Sequence, residues 1–376
     1  MRRCQPIRPY GQSMESPHRF AIGLLTTVTG DAVEAALIHS DGRDDIRPIG
    51  GVHLPCPQAL HWGLLEATQN DLPITELGRL EQELTHHFGR AVEELRRAHP
   101  AEVNAAAAVG LDGHTVRRMP EEGVWLQIGN PWLLAELTGL PVVADFRRHD
   151  IAIGGQGAPL ESMYHWALMA EEPRPALMIN LGAVSSLTWL SPANEIIAGD
   201  VGPGLELLDE WVQEVAEAAN DDGGQVSLRG EVHQQVVDYA LEGRFFSRPL
   251  PRTPTRSDFE HIDVSGLEPE DGAATICAII ADAISLAVRQ LPQAPEIAWV
   301  TGRGSRHPLL LERLGASIAE LRNVDRRGLN PDTLEAECFA WLAIRYQRGL
   351  PVTTPETTGC REASCAGVST ARGPWS

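Results

Sequence analysis

An acid set just before a glycine-rich turn stands out first: Gly199-Asp200-Val201-Gly202-Pro203-Gly204-Leu205, running into an amphipathic pattern from Glu206 to Trp211. Glycines permit close backbone approach, the N–H groups opening a helix attract anionic oxygen, and a carboxylate can orient and deprotonate a hydroxyl or water. Asp200 is therefore a candidate base for phosphoryl transfer. An ordinary strand-to-helix connection uses the same residue types, because Gly and Asp dominate turns for conformational reasons.

Three further stretches carry chemistry. Thr26 to Asp31, between two apolar runs, offers the hydroxyls of Thr26, Thr27 and Thr29 and the acid Asp31 in a hairpin loop that can hold phosphate. Arg147 and Asp150 place opposite charges beside the glycines at 154, 155 and 157, and a structural ion pair capping that loop is the plainer reading. Gly302-Arg303-Gly304 follows a buried-strand pattern and opens a helix-like run, a turn that permits close nucleotide approach.

Composition narrows what these groups can do. The chain has 376 residues, 43% hydrophobic and 22% charged, enough for two well-buried domains. A net charge of −20 argues against nucleic acid and anionic membranes as partners, since that binding needs clustered cations. All 31 basic residues are Arg. With no Lys, Walker-type P-loops, protein-kinase ATP clamps and Schiff-base chemistry are excluded, so phosphate contacts fall to Arg or backbone N–H groups. Cys4, Cys56, Cys277, Cys338, Cys360 and Cys365 show no CxxC spacing, so neither a metal site nor a disulfide framework is expected, and a reducing cytoplasm fits. No uncharged apolar run of membrane length, about 18 residues, is read from the sequence.

The elements that must position these groups follow from periodicity. Phe20–Leu25 and Val33–Ile38 read as strands of a hairpin, and Leu77, Leu80, Leu84, Phe88, Val92 and Leu95 keep helical spacing over 75–97, with His86 and His87 expected at the surface. Residues 103–109 read as a strand ending in a polar turn over 110–115. A second hairpin is expected over 176–190, helices over 206–219, 275–290 and 335–347, and an exposed Arg- and Pro-rich loop over 249–256. The domains read as a polar leader over 1–18, a first α/β lobe over 19–145, a second over roughly 146–359 whose last helix is open to packing back across the lobes, and a disordered tail over 360–376.

Together these segments resemble the anhydro-N-acetylmuramic acid kinase family, from about Phe20 to Gly359. Gln127-Ile128-Gly129-Asn130-Pro131, Ala144-Asp145-Phe146-Arg147 and Gly154-Gly155-Gln156-Gly157-Ala158-Pro159-Leu160 look like its QIGNP, ADFR and GGQGAPL signatures. Asp200-Val201-Gly202-Pro203-Gly204 resembles its phosphate loop, and Glu335 with Phe339-Ala340-Trp341-Leu342-Ala343 its EAxxFAWLA helix. The resemblance implies a two-lobed actin/hexokinase-like (ribonuclease H-like) ATPase fold, α/β with mixed sheets flanked by helices. It implies ATP with Mg²⁺, and a homodimer. In the family reaction the acid at 200 activates water against the anomeric carbon of a 1,6-anhydro sugar while the released O6 takes the γ-phosphoryl group. Carried over by motif, Thr115, Arg147 and Asp150 lie near the sugar and Glu335 beside substrate or water. Thr26, Thr27, Thr29, Asp31, Gly202, Gly204, Gly302 and Gly304 lie against the nucleotide.

The chain departs from the pattern mainly on the nucleotide side. GTSxDG stands as Thr27-Val28-Thr29-Gly30-Asp31-Ala32, HGQT as Asp112-Gly113-His114-Thr115, the Asn closing the second phosphate loop as Leu205, KSTGRE as Arg252-Thr253-Pro254-Thr255-Arg256-Ser257, and GGGxxN as Gly302-Arg303-Gly304-Ser305-Arg306-His307. Each change is expected to remove a polar partner or add bulk. Three readings stay open: the anhydro-sugar kinase of cell-wall recycling, a catalytically impaired paralogue that binds a sugar or partner protein, and a kinase for another anhydro sugar such as levoglucosan.

Overall fold

The computed structural model describes residues 18–216 and 220–370, so residues 1–17 of the expected leader, 217–219 of the helix expected over 206–219 and 371–376 of the expected tail lie outside the described residues. Two compact units divide the chain, Met1–Leu168 with Thr333–Ser376, and Met169–Asp332. The division expected near 145 thus falls at 168, and residues 333–359 belong to the first unit instead of the second.

The first unit contains β1 (Arg19–Thr26), β2 (Ala32–Ser40), β3 (Ile46–Pro55), α1 (Gln58–Gln69), α2 (Ile74–Ala98), α3 (Pro100–Asn104), β4 (Ala106–Met119), β5 (Val124–Ile128), α4 (Pro131–Thr138), β6 (Val142–Ala144), α5 (Phe146–Ala152) and α6 (Ser162–Leu168). The second holds β7 (Ala176–Leu181), β8 (Val184–Leu190), β9 (Ile196–Pro203), α7 (Leu205–Ala216), α8 (Gln234–Leu241), α9 (Pro269–Arg289), β10 (Ile297–Thr301), α10 (Pro308–Ser317) and β11 (Leu321–Asn323). The chain then returns to the first unit with α11 (Leu334–Arg348), α12 (Pro355–Thr358) and β12 (Val368–Ser369).

Each unit builds its sheet the same way. In the first, β1, β2 and β3 form an antiparallel meander, and β4 and β6 follow parallel to β1, in the order β3-β2-β1-β4-β6. In the second, β7, β8 and β9 form the meander and β10 and β11 run parallel, in the order β9-β8-β7-β10-β11. This repeated ribonuclease H-like order is the mixed α/β fold expected.

Packing explains where α11 belongs. It lies on β1, β2 and β4, over Gly23 and Gly110, which are paired across the two parallel strands. A Cβ at Gly23 would meet Ala336 O at 1.7 Å and one at Gly110 would meet Phe339 O at 2.0 Å, so only glycine lets the helix backbone rest on the sheet. On the other side Leu80, Leu84, Phe88, Val92 and Leu95 of α2 join Leu24, Leu37 and Val109 in one core. In the second unit α9 supplies Ile276, Ile280 and Ile284 to a core with Leu187 and Val201. This helix is long and apolar enough to cross a membrane by length and composition, though Asp282 interrupts its apolar run, and 78% of its apolar window is buried.

Several expectations are corrected. The polar turn over 110–115 is strand: β4 runs on to Met119 because β5 pairs with it, His114 against Ile128 and Thr115 against Gln127. His87 is buried and hydrogen-bonds the Pro55 carbonyl at 3.1 Å, while its neighbour His86 is exposed. Arg252 and Thr253, read as an exposed loop, are buried. Within the tail, Val368 and Ser369 pair with Ala144 and Val143 of β6, so its described part is ordered by an edge strand.

Candidate active site

In the first unit the predicted sugar-side residues are gathered by β4, β5 and α5. Arg147, in the first turn of α5, grips Asp112 of β4 with two parallel bonds, Nε to Oδ1 and Nη2 to Oδ2, both 2.9 Å, and its Nη1 donates to Gly157 O at 3.1 Å. Its guanidinium also lies 5.2 Å from the Trp125 ring centroid and 5.6 Å from that of Phe339. Burial opposes the charge, but Asp112, Glu335 and Glu161 more than offset it and hold Arg147 above its ordinary value. The expected neighbour, Asp150, is engaged elsewhere. It is fully buried and accepts from Gly157 N at 2.8 Å and Thr358 Oγ1 at 2.7 Å, tying the glycine loop to α12. Gly155 is required there, since a Cβ would meet Asp150 Oδ2 at 2.1 Å.

Thr115 sits on the same patch, its hydroxyl accepting from Trp125 Nε1 at 3.2 Å and Gln127 Nε2 at 3.3 Å, and Gln127 also donates to Asp112 at 3.0 Å. Glu335, half-buried in the first turn of α11, has its pKa pushed up to about 8 by burial and then by Glu161, with Arg147 pulling the other way. A carboxyl that keeps its proton at neutral pH can donate a hydrogen bond to a sugar oxygen or water. Asp112 was read as a lost polar partner and is instead the carboxylate that orients Arg147. The sequence signal available was an acid three residues before Thr115, the β4 residue paired with Gln127, and it became readable only once β4 and β5 were paired.

The turn between β1 and β2 is crossed by its own side chains as well as by main-chain bonds. The hydroxyls of Thr27 and Thr29 both donate to Asp31 Oδ1, and although burial raises Asp31, those two bonds bring it below its ordinary value. Thr26 points inward, its hydroxyl 2.8 Å from His114 Nδ1, while His114 Nε2 lies 3.2 Å from Thr68 Oγ1. Burial pushes His114 down to about 4, so it is neutral. Thr26 is thus occupied by packing, and the exposed end of the loop consists of Val28 and the Thr27–Thr29–Asp31 cluster.

In the second unit Asp200 lies on β9 with 5% exposure. Arg252 pins its main chain from both sides: Asp200 N donates to Arg252 O at 2.9 Å and Arg252 Nε donates to Asp200 O at 3.1 Å. Arg252 also donates to Phe246 O and stands over the Phe245 ring. It is therefore a clamp for the acid's strand, and not a phosphate contact.

The glycines around Asp200 are used by packing. A Cβ at Gly202 would meet Ala283 Cβ at 2.6 Å, and one at Gly204 would meet Gly182 O at 2.4 Å. Leu205 N and Glu206 N, which open α7, donate to Gly182 O and Ala183 O at 2.8 and 3.2 Å. Gly302 adopts φ 79° and Gly304 lies over Leu181. Beside them is a shallow surface depression walled by Leu205, Leu208, Asp209, Asp221, Arg303 and His307. His307 Nδ1 accepts from Leu310 N at the start of α10, which assigns the proton to Nε2 and makes it the donor to Asp221 Oδ2 at 3.2 Å. Cys277 Sγ lies 3.9 Å from the same nitrogen. Burial opposes Asp221's charge, but His307, Ser227 and the Val226 N–H bring it down to about 2.

Two α/β units of one ribonuclease H-like topology, with a buried acid on the third strand of the second, define the actin/hexokinase-like ATPase class. Residues 19–372 match the family profile described as anhydro-N-acetylmuramic acid kinase. Among curated relatives, the anhydro-N-acetylmuramic acid kinase of Rhodopseudomonas palustris strain BisB18 is 37% identical over 90% of this chain and 96% of its own. That of Gluconobacter oxydans is 36% identical over 93% and 99%, and that of Rhizorhabdus wittichii 35% over 93% and 98%. The chain belongs to the anhydro-N-acetylmuramic acid kinase family. The solved inorganic polyphosphate/ATP-glucomannokinase of Arthrobacter sp. strain KM superposes at TM-score 0.38 with 14% identity over 88% of this chain and 99% of that one, too loosely to assign residues.

Proposed function

We propose that this protein is an ATP-dependent kinase that hydrolyses the 1,6-anhydro bond of anhydro-N-acetylmuramic acid and phosphorylates the released O6, in peptidoglycan recycling. The observation that carries this reading is the retention of Asp200, nearly fully buried and clamped on both sides of its peptide by Arg252, in a chain of this family. Asp200 takes a proton from water, the water oxygen bonds to the anomeric carbon, the C1–O6 bond breaks, and O6 bonds to the γ-phosphorus as ADP leaves. Arg147, held by Asp112, and protonated Glu335 contact sugar oxygens, with Thr115 on the same rim.

Asp31 suits the Mg²⁺ that accompanies ATP, because it is an exposed carboxylate kept ionised by Thr27 and Thr29, and such hard cations take one or two carboxylates along with phosphate oxygens. When bound, that ion supplies neutralisation of the β- and γ-phosphate charge. The glycines at 202, 204, 302 and 304 then shape the nucleotide side. The five described cysteines are all free, which suits a reducing cytoplasm, and the family precedent leans to a homodimer.

Incubating the purified protein with anhydro-N-acetylmuramic acid, ATP and Mg²⁺ is expected to yield the 6-phosphate and ADP. Asp200→Asn should lower kcat by about 10³-fold or more with unchanged folding. A wild-type protein that binds the sugar and never forms the phosphate would overturn the reading.

A further inference from the structure

The sequence leaves open which arginines, in a chain without Lys, could meet a nucleotide's phosphates. Among those in the altered loops whose side chains are described, Arg252 is spent on the carbonyls of Asp200 and Phe246 and on the Phe245 ring. Arg306 makes two bonds to the carboxylate of Asp332, at 2.9 and 2.8 Å, away from the glycine turn's concavity. Arg303 differs from both. It stands between the two glycines of the 302–304 turn, walls the concavity and keeps 44% of its side chain exposed.

Its support comes from behind. Nη2 of Arg303 bonds Asp209 Oδ2 on α7, and the Asp209 side chain is only 4% exposed. One carboxylate engages one of five N–H donors, so the guanidinium is oriented without being saturated. The other acid of the wall, Asp221, is turned to His307 and to the N–H groups of Val226 and Ser227, so its charge is already matched. The first two N–H groups of α7, those of Leu205 and Glu206, are taken by Gly182 O and Ala183 O and are not offered to an anion here.

We propose that Arg303 is the phosphate-recognising cation of the nucleotide pocket in the second unit, with Asp209 as its positioning residue. The proposal rests on the ATP-dependent reading above. It assigns to one arginine the contact that the altered glycine and threonine loops no longer offer. The ligand it selects is a nucleoside di- or triphosphate over the free nucleoside.

Calorimetric titration of ATP, ADP and adenosine into the full chain and into Arg303→Met, Arg303→Lys and Asp209→Asn tests this. Arg303→Met is expected to weaken ATP and ADP by about 10- to 100-fold, the value of a charge-assisted contact, and to leave adenosine unchanged. Arg303→Lys should restore part of the loss, and Asp209→Asn should raise the KM for ATP with the sugar KM unaltered. The ATP affinity of Arg303→Met should also fall less steeply with added salt. Equal losses for ATP and adenosine, or no loss for either, would overturn the assignment while leaving the kinase reading intact. A wild-type chain that binds no ATP at all would sink that reading instead.

Discussion

The turn between β1 and β2 and the turn between β7 and β8 occupy the same place in two copies of one topology, yet they are built from different chemistry. The first adds a side-chain closure to its main-chain bonds, with Thr27 and Thr29 on the carboxylate of Asp31. The second is closed by main chain, with Gly182 and Ala183 carbonyls receiving the first N–H groups of α7. A shared strand order fixes where a loop emerges, and the residues in it decide whether it presents hydroxyls, carboxylates or bare backbone. The same contrast runs through the units: in the first Arg147 is locked to Asp112 by two charged bonds, while in the second Arg303 keeps 44% of its side chain exposed beside the glycine turn.

The largest expected difference lies under the helices. At Gly23 and Gly110 an added Cβ strikes α11 backbone oxygens at 1.7 and 2.0 Å, whereas at Gly202 it meets the Ala283 methyl at 2.6 Å. The overlap with backbone at Gly23 and Gly110 is deeper than the overlap with the Ala283 methyl at Gly202, so α11 must shift further than α9 to relieve it. Gly110→Ala should therefore cost about 4 kcal/mol or more in denaturant unfolding, against about 1–3 kcal/mol for Gly202→Ala. Equal costs would show that the α11 contact is as yielding as the α9 contact.

The next comparison is between ion pairs. Arg147 and Asp112 are nearly buried and joined by two bonds, so Asp112→Ala strands a buried guanidinium and is expected to cost about 3 kcal/mol together with sugar affinity. Arg306 with Asp332 is exposed at both ends, and Asp332→Ala should cost less than about 1 kcal/mol. Thermal unfolding of both variants measures the gap, and parity would mean that burial adds nothing to the first pair.

These contrasts also show what the sequence could and could not convey. Local patterns were legible: the spacing of Leu80, Leu84, Phe88 and Val92 produced α2, and the turns after Thr26 and Leu181 produced hairpins. Features set by distant pairing were not. β4 passes through Gly113 because β5 pairs with it, and β12 forms because β6 offers an edge. The site followed the same rule. Asp200 and the glycine turns were visible as motifs, while the Asp112–Arg147 grip, the spent carboxylate of Asp150 and the burial of Arg252 depend on residues far apart in the chain.

The smallest effects separate the units by pH. In the first, Glu335 rises from 4.5 to about 8, through burial and then Glu161, with Asp112 and Glu34 adding and Arg147 opposing. The folded form holds that proton more tightly, so its contribution is complete below pH 4.5 and is lost as pH climbs through 8. His114 has the opposite sign: burial takes it from 6.5 to about 4, so its contribution is present above 6.5 and is lost as pH falls towards 4. His165, also taken to about 4 by burial, adds to that acid limb. In the second unit Asp221 falls from 3.8 to about 2, and its contribution fades only below 3.8. Hydrogen exchange resolved by peptide should therefore show β4 losing protection between pH 6.5 and 4 while α9 keeps its own. Glu335→Gln should flatten the alkaline limb of β4 and leave α9 untouched. If both units lost protection together across pH 6.5 to 4, the acid response would belong to the chain as a whole and not to the buried histidines of the first unit.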